Sequence, residues 1–225
     1  MSRKKPIRIL IGVLLGVGLW LYSATAEPTK LVLALGDGSY VPAKAVTGAE
    51  VANELGDRDL VEFAVVILSN IPYNQLPGAV QEHLTEFLDQ GGSLLITGGP
   101  NAYGSGGYQA MAALVPFEMR ATHDWRSHPF KQVIPIQPGH PILRGVTFRT
   151  VGSFNDLNPK AGAVEIAKYA GGGTGFPSPL IAELRVGQGT VVGVALDLGR
   201  ELQNGWGDGN RFVQNLLTYL VTRSP

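Results

Sequence analysis

The sequence predicts an α/β fold of three layers, with a mostly parallel sheet and an appended antiparallel β segment. Three short runs at 30–35, 62–69 and 94–96 are almost continuously apolar, as expected of strands that are buried on both faces. An amphipathic segment before the third run has helical spacing. Strands that alternate with helices through short links favour parallel pairing with right-handed crossovers.

The N-terminus has the order of a secretory signal. Four basic residues among the first eight precede an uninterrupted run of apolar residues and glycine at 9–22, and Ala24-Thr25-Ala26 fits the small-x-small cleavage rule. The apolar run is shorter than the roughly 20 residues of a membrane span, which favours cleavage over an uncleaved anchor. We expect a signal peptide or N-terminal anchor at 1–26, one domain at 27–225, and a periplasmic or other extracytoplasmic location.

Composition excludes several kinds of chemistry. Without 1–26 the chain has 14 Lys and Arg against 18 Asp and Glu, a net charge of −4. A mildly acidic body with no basic cluster argues against nucleic acid as a partner. The sequence contains no cysteine, which excludes disulfides, thiolate metal sites, a lipid-bearing cysteine and a thiol nucleophile.

The first predicted strand, Lys30–Leu35, runs into Gly36-Asp37-Gly38. A tight turn is favoured here over a dinucleotide fingerprint, because Val41 stands where the third glycine would be. Thr47–Leu55 is predicted to be a helix that ends at the next glycine, and Glu62–Ser69 is the second buried strand.

The strongest helix signal begins at Pro77-Gly78. Its apolar residues form one stripe with helical spacing: Val80, Leu84, Phe87 and Leu88. His83 lies beside this stripe and is interpreted as a partly exposed helix residue rather than a ligand. Gly91-Gly92 ends the helix before the third strand.

The third strand, Leu94–Ile96, ends abruptly at Gly98-Gly99. Gly104, Gly106 and Gly107 keep the following loop free of Cβ atoms, so that backbone N–H groups can point into a crevice that side chains would otherwise fill. Tyr108–Leu114 is predicted to be a short helix over the rim of the sheet.

This strand and loop resemble a known family. The apolar strand that runs into Gly98-Gly99-Pro100 resembles the oxyanion strand of class I glutamine amidotransferase domains. The run 98–108 followed by 113–116, with the turn His140-Pro141-Ile142, resembles the amidotransferase-like domains of bacterial envelope proteins. Such domains occur fused to, or near, von Willebrand A-type membrane proteins. The resemblance implies a flavodoxin-like fold and an envelope or membrane protein as a partner. No cofactor is expected.

The region after the loop changes character. Its short apolar segments are separated by Pro and Gly, as in an appended β segment: Phe117–Met119, Val133–Ile136 and Val146–Phe148. His123, Asp124 and His128 lack the helical spacing of a metal helix and are not expected to bind a metal.

The C-terminal part predicts a hairpin and a closing helix. The run 171–175 lacks the Lys-Ser/Thr of a phosphate loop and is expected to join two antiparallel strands. Pro179–Ala182 and Gly187–Val192 form the hairpin, whose second strand is predicted to end at Asp197. The closing helix has one apolar face: Phe212, Val213, Leu216, Leu217, Leu220 and Val221.

Glutaminase activity is excluded. A glutaminase of the family that this chain resembles needs a cysteine on a strand-to-helix elbow, a His-x-Glu-like pair near the C-terminus and an oxyanion hole. Of these three requirements, only the oxyanion hole has a counterpart in this sequence, at Gly98-Gly99-Pro100. Ser105 is the nearby substitute nucleophile, but it lies in a glycine loop rather than a G-x-S-x-G elbow.

Two functions of different class remain open. The favoured one is a non-catalytic exported domain, a pseudoenzyme, that binds a small polar ligand or an envelope protein at its strand ends. The alternative is a hydrolase of a sugar or cell-wall substrate that uses carboxylates such as Asp37, Asp156 or Asp197. The candidate ligand-binding residues are Gly36, Asp37, Asn70, Gly98, Gly99, Asn101, Tyr103, Ser105, Asn155 and Asp197.

Overall fold

The structure, a computed structural model, describes residues 29–41, 48–149, 151–170 and 178–225. The predicted signal segment and the glycine run at 171–175 lie outside these residues. Within the described ranges, no helix combines the length and apolar character that a membrane span requires.

The described elements are twelve strands and three α-helices. The strands are β1 (Lys30–Gly36), β2 (Ala49–Ala52), β3 (Phe63–Ser69), β4 (Ser93–Thr97), β5 (Phe117–Met119), β6 (Trp125–Lys131), β7 (Val133–Pro135), β8 (Val151–Asn155), β9 (Leu157–Pro159), β10 (Val164–Tyr169), β11 (Ser178–Val186) and β12 (Gly189–Val194). The helices are α1 (Gly78–Asp89), α2 (Leu198–Gln203) and α3 (Gly209–Val221).

Eight strands form the main sheet in the order β2-β1-β3-β4-β12-β11-β10-β7. The pairings from β2 to β12 are parallel, and those from β12 to β7 are antiparallel. Two small antiparallel pairs, β5 with β9 and β6 with β8, lie outside it. The predicted fold class is confirmed, with its parallel half and its appended antiparallel segment.

Helices cover both faces of the sheet. Ser93 in β4 donates a hydrogen bond to the Leu220 carbonyl of α3 (3.2 Å). Ser93 pairs with Thr190, and the neighbouring Gly189 therefore points to the opposite face. A Cβ at Gly189 would lie 2.7 Å from the carbonyl oxygen of Leu88 and 2.9 Å from its Cδ2, both in α1. The sheet is thus enclosed between α1 and α3, which explains why every residue of β3 and β4 is buried.

Several predicted elements are confirmed. The apolar stripe of α1 is buried, while His83 beside it has half of its side chain exposed. The apolar face of α3 is also buried. β11 and β12 form the predicted hairpin, although β12 ends at Val194, three residues before Asp197. His140 caps the turn Pro141–Leu143 by accepting a hydrogen bond from the Ile142 amide (3.3 Å).

The predicted helix at Thr47–Leu55 is wrong. Within it, Ala49–Ala52 is β2, which pairs in parallel with Lys30–Leu33 at the edge of the sheet. Helix propensities among ordinary residues differ by less than about 1 kcal/mol each. Backbone hydrogen bonds to β1 therefore outweigh the local preference of Ala, Glu and Leu for a helix.

Two further segments differ from the prediction. Val146–Phe148 is not a strand; the Phe148 ring instead packs against Trp206 (5.3 Å between centroids), and the Trp206 indole donates to the Thr147 carbonyl (3.0 Å). The predicted helix after Gly107 is a single 3-10 turn, Tyr108–Met111. After this turn, the Lys160 ammonium group donates hydrogen bonds to the carbonyls of Ala112, Ala113 and Val115 at 2.7–3.0 Å, so these acceptors are satisfied without a longer helix.

Candidate functional site

The strand order reverses at β1. This strand has β2 on one side and β3 on the other, and the order β2-β1-β3-β4-β12 is that of a flavodoxin-like sheet. In such sheets, ligands bind beyond the carboxyl ends of the strands, at the point of reversal. Gly36 ends β1 in the left-handed region (φ +84°), and a Cβ there would lie 2.1 Å from the Ser69 carbonyl oxygen of β3. Glycine therefore allows the two strand ends to approach closely.

The glycine loop after β4 packs against the chain itself. A Cβ at Gly98 would lie 2.5 Å from Asn155 Oδ1, and a Cβ at Gly99 would lie 2.2 Å from Asn70 Oδ1. A Cβ at Gly104 would lie 1.9 Å from the Ala121 carbonyl oxygen. These glycines are thus required by close internal contacts, and the space that the loop leaves is filled by protein atoms.

The backbone N–H groups of the loop already have acceptors. The Gly99 amide donates to Asn155 Oδ1 (2.9 Å), and the Asn101 amide donates to Asn70 Oδ1 (2.9 Å). The Gly98 amide donates to a carbonyl of the segment after β12 (2.8 Å). An oxyanion hole needs N–H groups that are directed at the reacting oxygen, so this loop does not form one here.

Asp124 holds the glycine loop after β4 through hydrogen bonds to its carboxylate. Its buried carboxylate accepts hydrogen bonds from the Gly104 amide (2.9 Å), the Ser105 amide (3.0 Å), the Ser105 hydroxyl (2.8 Å) and Asn155 Nδ2 (3.0 Å). Ser105 Oγ in turn accepts from the amides of Asp124 and Trp125. Both residues are therefore engaged in a structural network, and Ser105 is not presented as a nucleophile.

The residues considered as metal ligands do not form a cluster in the described structure. The Asp124 carboxylate points into the loop network, whereas His123 is exposed and contacts Thr122 (3.1 Å). The side chain of His128 lies outside the described atoms. No group of three potential ligands occurs among the described residues.

Tyr103 belongs to the core. It is 0% exposed, and its hydroxyl lies 2.9 Å from the carbonyl oxygen of Ile96 and 3.1 Å from that of Val194. Its ring packs edge-on against Phe117 at 5.6 Å between centroids. Burial raises the pKa of Tyr103 well above its ordinary value. The sequence-based assignment of Tyr103 as a ligand contact is therefore corrected: the side chain offers no surface to a ligand.

The structure brings two predicted acids together. An ideal Cβ at Gly199 would lie 2.6 Å from Asp37 Oδ2 and 3.6 Å from Asp197 Oδ1, so both carboxylates flank this glycine. Ser39 donates a hydrogen bond to Asp37 Oδ1 (2.7 Å). We call Asp37, Ser39, Tyr40 and Asp197 the carboxylate rim; it lies beyond the carboxyl ends of β1 and β12.

The rim is acidic, and its tyrosine is a neutral donor. The Tyr40 hydroxyl lies 3.4 Å from Thr97 Oγ1, which donates to Ser69 Oγ (2.9 Å), and burial raises the pKa of Tyr40 to about 12. Burial, followed by the nearby Asp37, raises the pKa of Asp197 above its ordinary value. The Arg200 amide opposes this shift by donating to Asp197 Oδ1 (3.0 Å).

The predicted site residues thus separate into groups. Asp37 and Asp197 meet at the rim, and Gly36 lies beneath it. Tyr103 belongs to the core. The remaining predicted residues take part in the hydrogen bonds and close contacts of the glycine loop: Asn70, Gly98, Gly99, Asn101, Ser105 and Asn155. Asp156 does not join the rim, because its carboxylate forms a salt bridge with Arg120 (2.8 Å). The sequence analysis missed Ser39 and Tyr40, although they directly follow the Gly36-Asp37-Gly38 turn.

Comparisons with known proteins bear on the fold. No protein-family model matches the chain, and no curated protein matches it. A cytoplasmic protein of Salmonella typhimurium superposes with a TM-score of 0.70 at 15% identity, over 87% of this chain and 100% of that one. A ThuA-like protein from Bacteroides uniformis superposes with a TM-score of 0.59 at 12% identity, over 88% of this chain and 94% of that one.

The chain has a class I glutamine amidotransferase-like fold. ThuA-like proteins have this fold, and the similarity covers nearly all of both chains. An exo-β-1,4-mannosidase from an Opitutaceae bacterium is also similar, with a TM-score of 0.52 at 18% identity, over 89% of this chain. Only 37% of the mannosidase is covered, so the likeness concerns one part of that enzyme. All of these identities are low enough to indicate shared fold alone.

Proposed function

We propose that this chain is an exported, non-catalytic domain that binds a small polar ligand through the carboxylate rim. The observation that carries the proposal is the meeting of Asp37 and Asp197 at Gly199. This position lies beyond the carboxyl ends of the strands where their order reverses, which is where open α/β sheets bind ligands.

The chemistry of the rim suggests the class of ligand. Both carboxylates accept hydrogen bonds; Asp37 is partly exposed to solvent, whereas Asp197 is buried with 7% of its surface exposed. A ligand rich in hydrogen-bond donors, such as an amine or a polyol, complements such acceptors. The engaged amides of Gly98, Gly99 and Asn101 support a binding role at the rim rather than at the glycine loop.

The envelope setting belongs to the same proposal. The order of basic, apolar and Ala-Thr-Ala segments supports export. The run 98–108 resembles the domains that accompany von Willebrand A-type membrane proteins, and we propose one of these as the protein partner. The intact mass of the exported protein checks export: cleavage before Glu27 supports it, and a mass that retains 1–26 indicates an anchor.

Substitution of the rim carboxylates is expected to weaken ligand capture with little effect on stability. Asp37→Asn and Asp197→Asn keep the shape of the side chain and its capacity to accept one hydrogen bond, but remove the charge. With spermidine and cellobiose as probes, each variant should bind the captured probe about tenfold more weakly, the value of one charge-assisted hydrogen bond. Titration calorimetry measures the affinity, and thermal unfolding measures the stability.

The matched control is Glu86→Ala, which changes an exposed carboxylate of α1. This variant should bind as the unaltered chain does. Equal affinities for the rim variants and the control would contradict the proposal, as would capture that is lost only together with folding.

A carboxylate-dependent hydrolase is the second candidate. The raised pKa of Asp197 beside a second carboxylate favours it, because glycosidases place a protonated and an ionised carboxyl group about 5–9 Å apart. Two observations argue against a hydrolase, because each carboxylate already has a hydrogen-bond partner: Asp197 caps α2, and Asp37 accepts a hydrogen bond from Ser39. Hydrolysis of 4-nitrophenyl glycosides that disappears in Asp197→Asn would establish this function; we expect no turnover above background.

A further inference from the structure

A groove lies along α3, apart from the carboxylate rim. The C-terminal end of this helix is beside the start of β1, because the Lys30 ammonium group donates to the carbonyls of Val221 (3.0 Å) and Ser224 (2.7 Å). The groove has a volume of about 580 Å³, within the range of about 300–1,000 Å³ of small-molecule sites. It shares no residue with the carboxylate rim.

The groove is basic although the body of the protein is acidic. Arg144 and Arg223 both line it, together with the hydrogen-bonding side chains of Gln214 and Thr218. Among the described residues that line the groove, none is Asp or Glu. A concave surface that carries one sign of charge concentrates ligands of the opposite sign.

Arg144 is held in position by its backbone while its side chain stays available. Asn215 of α3 donates hydrogen bonds to the carbonyls of Ile142 (3.2 Å) and Arg144 (2.9 Å), which fixes the loop against the helix. Within the described parts of the chain, the exposed guanidinium group of Arg144 has no hydrogen bond or ion pair. A positioned loop with a free guanidinium group is suited to a bidentate contact with an oxyanion.

Arg223 is arranged over the floor of the groove. Its guanidinium carbon lies 4.2 Å from the centroid of the Tyr219 ring, a cation–π contact. The Tyr219 hydroxyl donates to Glu183, whose carboxylate also lies 3.8 Å from His140 Nε2. The floor is thereby fixed, and the negative charge of Glu183 is engaged beneath it rather than exposed in the groove.

We propose that this groove binds a small organic anion through Arg144 and Arg223. Asn215, which holds the Arg144 backbone, and Arg223 are eight positions apart on α3 and its end, or about 12 Å at the rise of an α-helix. The backbone positions that carry the two arginines therefore lie toward different ends of the groove. This spacing fits an elongated anion with more than one phosphate or carboxylate group, and Gln214 and Thr218, which also line the groove, supply further donors.

Titration of the full chain in mild detergent with tripolyphosphate, and separately with citrate, tests this assignment. Saturable binding should weaken as salt rises and should shift the amide resonances of Gln214 and Thr218. Arg144→Ala and Arg223→Ala should each reduce affinity by at least about tenfold, the effect of losing one charge-assisted contact. Arg144→Lys should recover part of the loss, because lysine keeps the charge without the planar fork.

The control is Arg58→Ala, which removes an exposed arginine that does not line the groove and should leave affinity unchanged. Stronger binding of tripolyphosphate identifies a phosphate ligand, and stronger binding of citrate identifies a carboxylate ligand. The proposal is overturned if neither probe saturates, if Arg58→Ala weakens binding as much as Arg144→Ala does, or if the shifted amides lie outside the groove. Asp37→Asn should bind both probes normally, which separates this site from the rim.

Discussion

Replacing Asp124 with alanine is expected to lower the free energy of unfolding by about 3–5 kcal/mol. The substitution removes the acceptor of four hydrogen bonds: the buried donors of Gly104 and Asn155 and the two partly buried donors of Ser105 lose their partner. Each buried donor that loses its partner costs about 1–3 kcal/mol. Equilibrium unfolding in urea, with a constant slope, measures the change.

Two comparisons make this prediction specific. Glu82→Ala removes an exposed carboxylate of α1 and should change stability by no more than about 0.5 kcal/mol. Ser105→Ala removes one hydroxyl of the network, and its loss of unfolding free energy should lie between those of Glu82→Ala and Asp124→Ala. A cost for Asp124→Ala as small as that of Glu82→Ala would mean that Asp124 does not hold the loop.

A series of glycine substitutions is expected to separate close contact from backbone strain. Gly104→Ala should cost about 3 kcal/mol or more, the upper range for overpacking, because its Cβ would lie 1.9 Å from the Ala121 carbonyl oxygen. Gly107→Ala meets no atom within 4 Å but has a φ of +78°, so it should cost about 1–2 kcal/mol.

Gly139→Ala is the control of this series, since it has neither a close contact nor a positive φ. Its effect should stay within about 0.5 kcal/mol. In thermal and urea unfolding, the loss of stability should be largest for Gly104→Ala, smaller for Gly107→Ala and smallest for Gly139→Ala. Equal effects for Gly104 and Gly139 would show that the loop can move away from its internal contacts.

The buried elements of the fold were predictable because their signals are local. The continuous aliphatic runs of β3 and β4 and the helical stripe of α1 reflect burial that each segment undergoes as a whole. The edge strand β2 was not predictable from 47–55, because its conformation depends on hydrogen bonds to β1 rather than on its own residues.

The site was predictable only in part. Asp37 and Asp197 were expected at the strand ends, and the general rule for open sheets was enough to bring them to one edge. Tyr103, Ser105 and Asn155 were expected to face a ligand, but they turn inward. A polar residue beside glycines has the same sequence signal whether it faces a crevice or satisfies the backbone of a packed loop.

The central claim is that the glycine loop binds the side chains of its own chain, which leaves the rim as the ligand site. Amide hydrogen exchange of Gly99 and Asn101, followed residue by residue, tests it most directly. Because these amides donate to Asn155 and Asn70, they should exchange much more slowly than amides of an unprotected surface loop, and the buried Gly99 amide should be the slower of the two. Exchange at the rate of an unprotected surface loop would contradict the claim and would return the loop N–H groups to the candidate site.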